Sequence, residues 1–132
     1  MQITRQADYA IRAMLYLATL KPEERAATSL IAETKRIPAS FLAKIISQLS
    51  IAGLIQTSRG ARGGVKLAHK PEDISVLDVV IAIDGPVSFN DCTNDPHSCS
   101  FGDECPIRPL WCDTQAELVQ RLKETNFASF MS

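Results

Sequence analysis

A mainly α chain interrupted by one small β-hairpin is the fold class that the sequence predicts. Three observations carry it. Apolar residues recur at helical spacing in residues 4–20, 38–52 and 76–84. One glycine-rich stretch, "LIQTSRGARGGVKLA" at 54–68, sits between two short apolar runs and reads as a hairpin. Beyond a segment that holds every cysteine, the pattern turns helical again for most of the remaining residues.

Each element follows from its residues. In the first helix Ala7, Ala10, Ile11, Met14, Leu15 and Ala18 form one apolar stripe. Pro22 in "KPEER" breaks it. A short helix is expected over about 29–35, capped by Thr28 or Ser29, with Leu30 and Ile31 as its apolar contacts. "RIP" makes a turn, and Pro38 suits the first turn of the next helix, where its fixed φ and missing N–H cost nothing. That helix should run to about Ala52, with Phe41, Leu42, Ile45, Ile46 and Leu49 inward and Gly53 as a left-handed C-terminal cap. Residues 54–58 and 65–68 read as strands, and Gly60, Gly63 and Gly64 allow the positive φ of a tight hairpin that Arg59, Arg62 and Lys66 decorate. In "PEDISVLDVVIAIDGP", Ser75 caps a helix and Asp78 lies three residues on, as in a capping box. Val76, Val79, Val80 and Ile83 are its stripe, and Gly85-Pro86 ends it. A long final helix should begin near Pro106 or Pro109 and present Leu110, Trp111, Leu118, Val119 and Leu122. A domain of this size cannot cover such a helix alone, so it is expected to dimerise.

Helix, short helix, turn, helix and basic hairpin is the order of a winged helix-turn-helix, in which the second helix of the pair enters the major groove and the wing contacts the backbone or minor groove. The outward face of that helix carries Ala39, Ser40, Ala43, Lys44, Ser47 and Gln48. Lys44 can serve phosphate or guanine, and Ser40 and Gln48 can hydrogen-bond base edges. Arg59 and Arg62 at the hairpin tip can enter a narrow groove or clamp phosphates. Charge supports this. Residues 1–70 hold 11 Lys and Arg against 4 Asp and Glu, a net of +7, whereas 71–132 hold 3 against 11, a net of −8. The expected organisation is therefore a DNA-binding region at 1–70, followed at 71–132 by a linker helix, cysteine loop and dimerisation helix. "SRGARGGV" lacks the spacing and context of a phosphate loop, which sets nucleotide binding aside.

With no apolar run near membrane-spanning length and no secretory leader pattern, the expected compartment is the cytoplasm, where thiols stay reduced. The four cysteines, Cys92, Cys99, Cys105 and Cys112, all fall in "FNDCTNDPHSCSFGDECPIRPLWC", with gaps of six, five and six residues. Zinc knuckles favour tighter pairs. The gaps suit a loop wrapped round an iron–sulfur cluster, held by thiolates at varied spacings. Zinc, a thiol redox switch and a structural role stay open at this point. Asp91, Asp95, Asp103 and Glu104 would raise the thiol pKa values, and only His97 is near, so a catalytic thiolate is a poor fit. With no C-x-x-C either, the chain does not read as an enzyme.

These residues resemble the Rrf-type (IscR- and NsrR-like) family of bacterial iron–sulfur transcriptional regulators over nearly the whole chain. "MQITRQADYAIRAMLYLA", "IPASFLAKIISQLSIAGLI", "SRGARGGVKLA", "ISVLDVVIAIDGP" and the three-cysteine loop before "LW" carry the resemblance. It implies a homodimeric repressor that binds a double-stranded DNA operator, its last helix crossing the partner. It also implies a [2Fe–2S] or [4Fe–4S] cluster, easily lost from purified protein, on Cys92, Cys99 and Cys105. Some members take the fourth ligand from a His three residues after the third Cys; here that position is Arg108, which has no lone pair to give. Others use an acid near the N-terminus of the partner subunit, a position matched by Asp8. Cys112 falls outside the three-cysteine pattern; it is expected to be a buried helix thiol, with an alternative ligand or a redox partner as the other readings. The resemblance carries DNA contacts onto Ser40, Ala43, Lys44 and Arg59, although the acid usual at the Ala43 position is absent. The alternative is a DNA-binding regulator with zinc or a thiol/disulfide switch and no cluster.

Overall fold

The computed structural model describes residues 2–61, 63–89, 93 and 104–131. The elements are α1 (Arg5–Ala18), α2 (Thr28–Lys35), α3 (Ala39–Ile51), β1 (Ile55–Ser58), β2 (Gly64–Leu67), α4 (Val76–Asp84) and α5 (Arg108–Glu124), with 3₁₀ turns at Pro71–Asp73 and Phe127–Phe130. The mainly α fold with a hairpin wing is as expected. No described helix is long and apolar enough to cross a membrane.

Local chemistry sets the boundaries. Thr4 caps α1 by accepting from the Ala7 N–H at 3.1 Å, and its hydroxyl donates to Asp84 Oδ1 at 2.6 Å, joining the start of α1 to the end of α4. The capping box of α4 is present in full: Asp78 N–H donates to Ser75 Oγ at 3.1 Å, and Ser75 N–H to Asp78 Oδ2 at 2.9 Å. Gly53, at φ +78°, follows α3 in the left-handed conformation expected there. Expectation and structure part at α2. It begins at Thr28 behind Ala27, and no side chain caps it. Pro38 stands one residue ahead of α3, as its cap, instead of in its first turn.

One main core joins α1, α2, α3, the hairpin and α4. The buried face of α1 is Ala7, Ala10, Ala13, Met14, Leu17 and Ala18; Ile11 and Leu15 are only partly buried. The predicted stripe was rotated because α1 is packed from two sides, and its small alanines admit neighbours where a larger residue would stand off. Phe41 and Leu30, both expected inward, are 40% and 46% exposed. Leu42, Ile45, Ile46 and Leu49 hold the inner face of α3 without Phe41, and α2 is anchored by buried Ile31 with Ala32 packed beside it. In α4, Leu77, Val79 and Val80 are buried, while Val76 and Ile83 lie at the margin.

The sequence reading missed the end of the chain. Phe127 is 0% exposed and belongs to the main core. Asn126 caps its 3₁₀ turn, Val76 N–H donates to Thr125 O at 2.8 Å, and Phe127 N–H donates to Ile74 O at 3.1 Å. The segment thus closes on the start of α4. By contrast α5 buries no residue completely. Leu118, Val119 and Leu122 lean on a small cluster of Leu77, Val80 and Val87, while Leu110 is 54% exposed.

Candidate nucleic-acid interface and cysteine segment

The helix pair α2–α3 is joined by a tight turn in which Arg36 takes the left-handed conformation, φ 55°. With one face of α3 seated in the core, Ser40, Ala43, Lys44 and Ser47 are exposed together. Gln48 is half-buried, and its Oε1 is enclosed with no hydrogen-bond partner among the described residues.

The wing is antiparallel, with Ile55 opposite Leu67 and Ser58 opposite Gly64. Arg59 is exposed in its loop; Arg62 lies outside the described residues. A bridge between Ala26 and Val65, with N···O distances of 2.9 and 2.8 Å, fastens β2 to the segment before α2. Gly64 makes this possible: at φ +136°, a Cβ there would stand 2.7 Å from the Ala26 carbonyl oxygen. A groove of about 560 Å³ results, lined by Thr28, Ile46, Ser58, Arg59 and Gly60 among others. It joins the start of α2, Ile46 of α3 and the wing in one surface. Thr28, Thr57 and Ser58 are its hydroxyl-bearing members; the sequence reading took Thr28 as a helix cap and placed Thr57 and Ser58 in a strand, and it assigned none of them to DNA.

Lys66 sits elsewhere. Its ammonium is 2.8 Å from Glu23 Oε2, and its side chain is 17% exposed. The hydrogen bond from Lys66, aided by its charge, lowers the Glu23 carboxyl below the ordinary 4.5.

Of the residues expected to ligate a cluster, Cys92 and Cys99 lie outside the described residues, as does His97. Cys105 is a free, half-buried thiol just ahead of α5, and Cys112 is free and half-buried within α5 rather than fully buried. Asp8 is exposed on α1 and pairs with Arg12 at 2.9 Å. Arg12 in turn lies over the Tyr9 ring, 5.3 Å from its centroid, and Tyr9 packs at 5.8 Å against Phe41, which explains why Phe41 faces outward. Among the described residues no group of three or more His, Cys, Asp or Glu is arranged to hold a metal ion.

Comparison with known proteins follows the same lines. The family profile described as "Rrf2: Iron-dependent Transcriptional regulator" matches residues 3–132. The chain is 30% identical over 125 residues to the HTH-type transcriptional regulator NsrR of Shouchella clausii, covering 94% of this chain and 84% of the relative. It is 31% identical over 131 residues to the HTH-type transcriptional regulator IscR of Aliivibrio salmonicida, covering 99% and 77%. Among solved structures it is similar to CymR (YrzC), the global cysteine regulator of B. subtilis, with TM-score 0.84 and 27% identity over 100% of this chain and 99% of that one.

Proposed function

The chain belongs to the Rrf2 family of transcriptional regulators, and from that membership we propose that it is a homodimeric repressor whose grip on an operator is set by an iron–sulfur cluster. It is a DNA-binding transcriptional regulator and not an enzyme. In the proposed division, residues 1–70 face DNA and 71–132 carry the sensor and dimer contacts, and the protein acts in the cytoplasm.

The observation that carries the DNA reading is the exposed polar face of α3, with Arg59 of the wing sharing a groove with Thr28 of α2 and Ile46 of α3. Small and polar side chains on α3 allow close approach to base edges. Ser40, Lys44 and Gln48 are the proposed readers in the major groove, with Gln48 needing a rotamer change to free its enclosed oxygen. Arg59 and Arg62 are the proposed wing contacts to phosphate or minor groove.

For the cluster, Cys92, Cys99 and Cys105 are the proposed thiolate ligands and Asp8 of the partner subunit the fourth. Two of the four lie among the described residues: Cys105 is a free thiol, and Asp8 is exposed and pairs with Arg12 at i,i+4. An exposed pair of that kind contributes about 0.3–0.5 kcal/mol, so Asp8 can leave Arg12 at small cost. When bound, the cluster supplies a centre that reacts with oxygen and nitric oxide. A carboxylate holds iron less firmly than a thiolate, which makes the Asp8 edge the labile one. Exposed apolar residues at the start of α5, Ile107 just before it and Leu110 within it, at 48% and 54% exposure, support the dimer.

The test is anaerobic purification, iron and sulfide analysis, then DNA affinity with and without the cluster. Bound iron and sulfide together with at least a tenfold affinity difference are expected, an allosteric coupling of ordinary size. Equal affinities would remove the sensor role. A second reading, a thiol switch or a zinc site without a cluster, is favoured by one observation: Cys105 and Cys112 are both free and half-buried around the start of α5. One zinc and no sulfide, or a reversible disulfide that changes DNA affinity, would establish it instead.

A further inference from the structure

We propose that Glu23 and Lys66 are positioning residues for the wing: their ion pair sets the angle at which Arg59 meets DNA, and Lys66 itself touches no phosphate. The inference deepens the reading that the wing contacts DNA and rests on it.

Lys66 belongs to a basic hairpin and would ordinarily be counted as a phosphate contact. Its surroundings argue otherwise. The side chain is 17% exposed, and its ammonium is engaged at 2.8 Å by Glu23, whose own side chain is 86% exposed. The residue lines a groove with Leu17, Ala18, Leu20 and Leu67, where its methylene stem covers apolar surface. Consecutive residues of β2 are thus tied to the α1–α2 connection in different ways. Val65 is tied by two backbone hydrogen bonds to Ala26, and Lys66 by its side chain to Glu23.

Glu23 adds a second line of argument. It has φ 68°, a left-handed conformation that residues with a Cβ seldom hold unless their surroundings impose it. The turn at Glu23 aims the carboxylate at the wing, and the ion pair repays part of the strain. A carboxylate in the half of the chain with net charge +7 also opposes DNA by simple electrostatics. If repulsion were all it did, removing its charge would tighten DNA binding. If it positions the wing, removing its charge loosens binding. The two effects have opposite signs, and that makes the pair decidable.

The experiment uses the anaerobically purified full chain and a duplex selected by the wild-type protein from a random-sequence pool, with affinity measured across a salt series. Glu23→Gln and Lys66→Met are each expected to weaken binding about threefold to tenfold. The double variant should weaken it no further than either alone, since both remove one pair. Lys66→Met should leave the slope of log affinity against log salt unchanged, because no phosphate contact is lost, while Lys66→Arg should retain wild-type affinity. Arg59→Ala serves as the comparator and should flatten the slope by about one. The proposal is overturned if Glu23→Gln tightens binding or if Lys66→Met flattens the slope as Arg59→Ala does. An Arg59→Ala variant with wild-type affinity and slope would instead sink the wing–DNA reading itself. Should Lys66→Met fail to fold, the exposed Glu23→Gln change still decides the sign.

Discussion

Gly64 shows how much a single position can hold. The glycine-rich stretch was legible as a hairpin, because only glycine takes positive φ freely. Nothing in the sequence told that one of its glycines also admits the Ala26 carbonyl, since that neighbour lies 38 residues away in the chain. Gly64→Ala should therefore cost about 1–3 kcal/mol, through both the left-handed backbone and the collision with Ala26. A lower urea midpoint with an unchanged slope would register it, and a wild-type midpoint would show that the bridge yields. Lys66 teaches the converse lesson. Its charge and place in a basic hairpin suggested a decoration of the wing, yet its engagement by Glu23 depends on a turn whose direction no local pattern announces. The ligand residues were chosen by resemblance, and in the structure Asp8 pairs with Arg12.

At the scale of elements, boundaries marked by side-chain chemistry were readable and those marked by tertiary fit were not. The capping box at Ser75 and Asp78 was legible because its spacing is the mechanism. Ser75→Ala should cost about 1 kcal/mol and lower the thermal midpoint by several degrees; an unshifted midpoint would mean that the Thr125–Val76 hydrogen bond holds the helix start without the cap. For α2 the same reasoning failed by one residue, since Thr28 falls inside the helix and Ala27 takes the capping place. Apolar periodicity found the buried face of α3 but miscounted its edge. Phe41 carries enough surface to look like core, and its real partner is Tyr9 at the molecular surface. In α1, Ala13 and Leu17 were passed over because a stripe drawn through Ile11 and Leu15 fitted the helical period equally well.

For the molecule as a whole, the fold class was legible, and the partner expected for α5 is a prediction that remains to be tested. Within its own chain, a helix of 17 residues, about 25 Å long, buries none of them completely and leans on α4 through Leu118, Val119 and Leu122. Converting Ile107 and Leu110 to Glu should shift the protein from dimer to monomer in sedimentation and weaken operator binding at least tenfold, because paired half-sites then lose their linkage. Retention of the dimer would move the interface off this face. What the sequence did not disclose is the return of the chain to its beginning. Phe127 is short-range in no sense: it lies beside residues of α1, more than a hundred positions earlier, and nothing in "TNFASF" separates a docking aromatic from an exposed one until Phe127 and Phe130 are seen at 0% and 56% exposure. This has a consequence for biosynthesis. A ribosome delivers α1, α2 and α3 early, but the last large side chain of their described core arrives only with residue 127, so the nascent core waits, incompletely filled, until that residue has emerged. The core that seats α3 and the hairpin is thereby completed only after α4 and α5 have already been made.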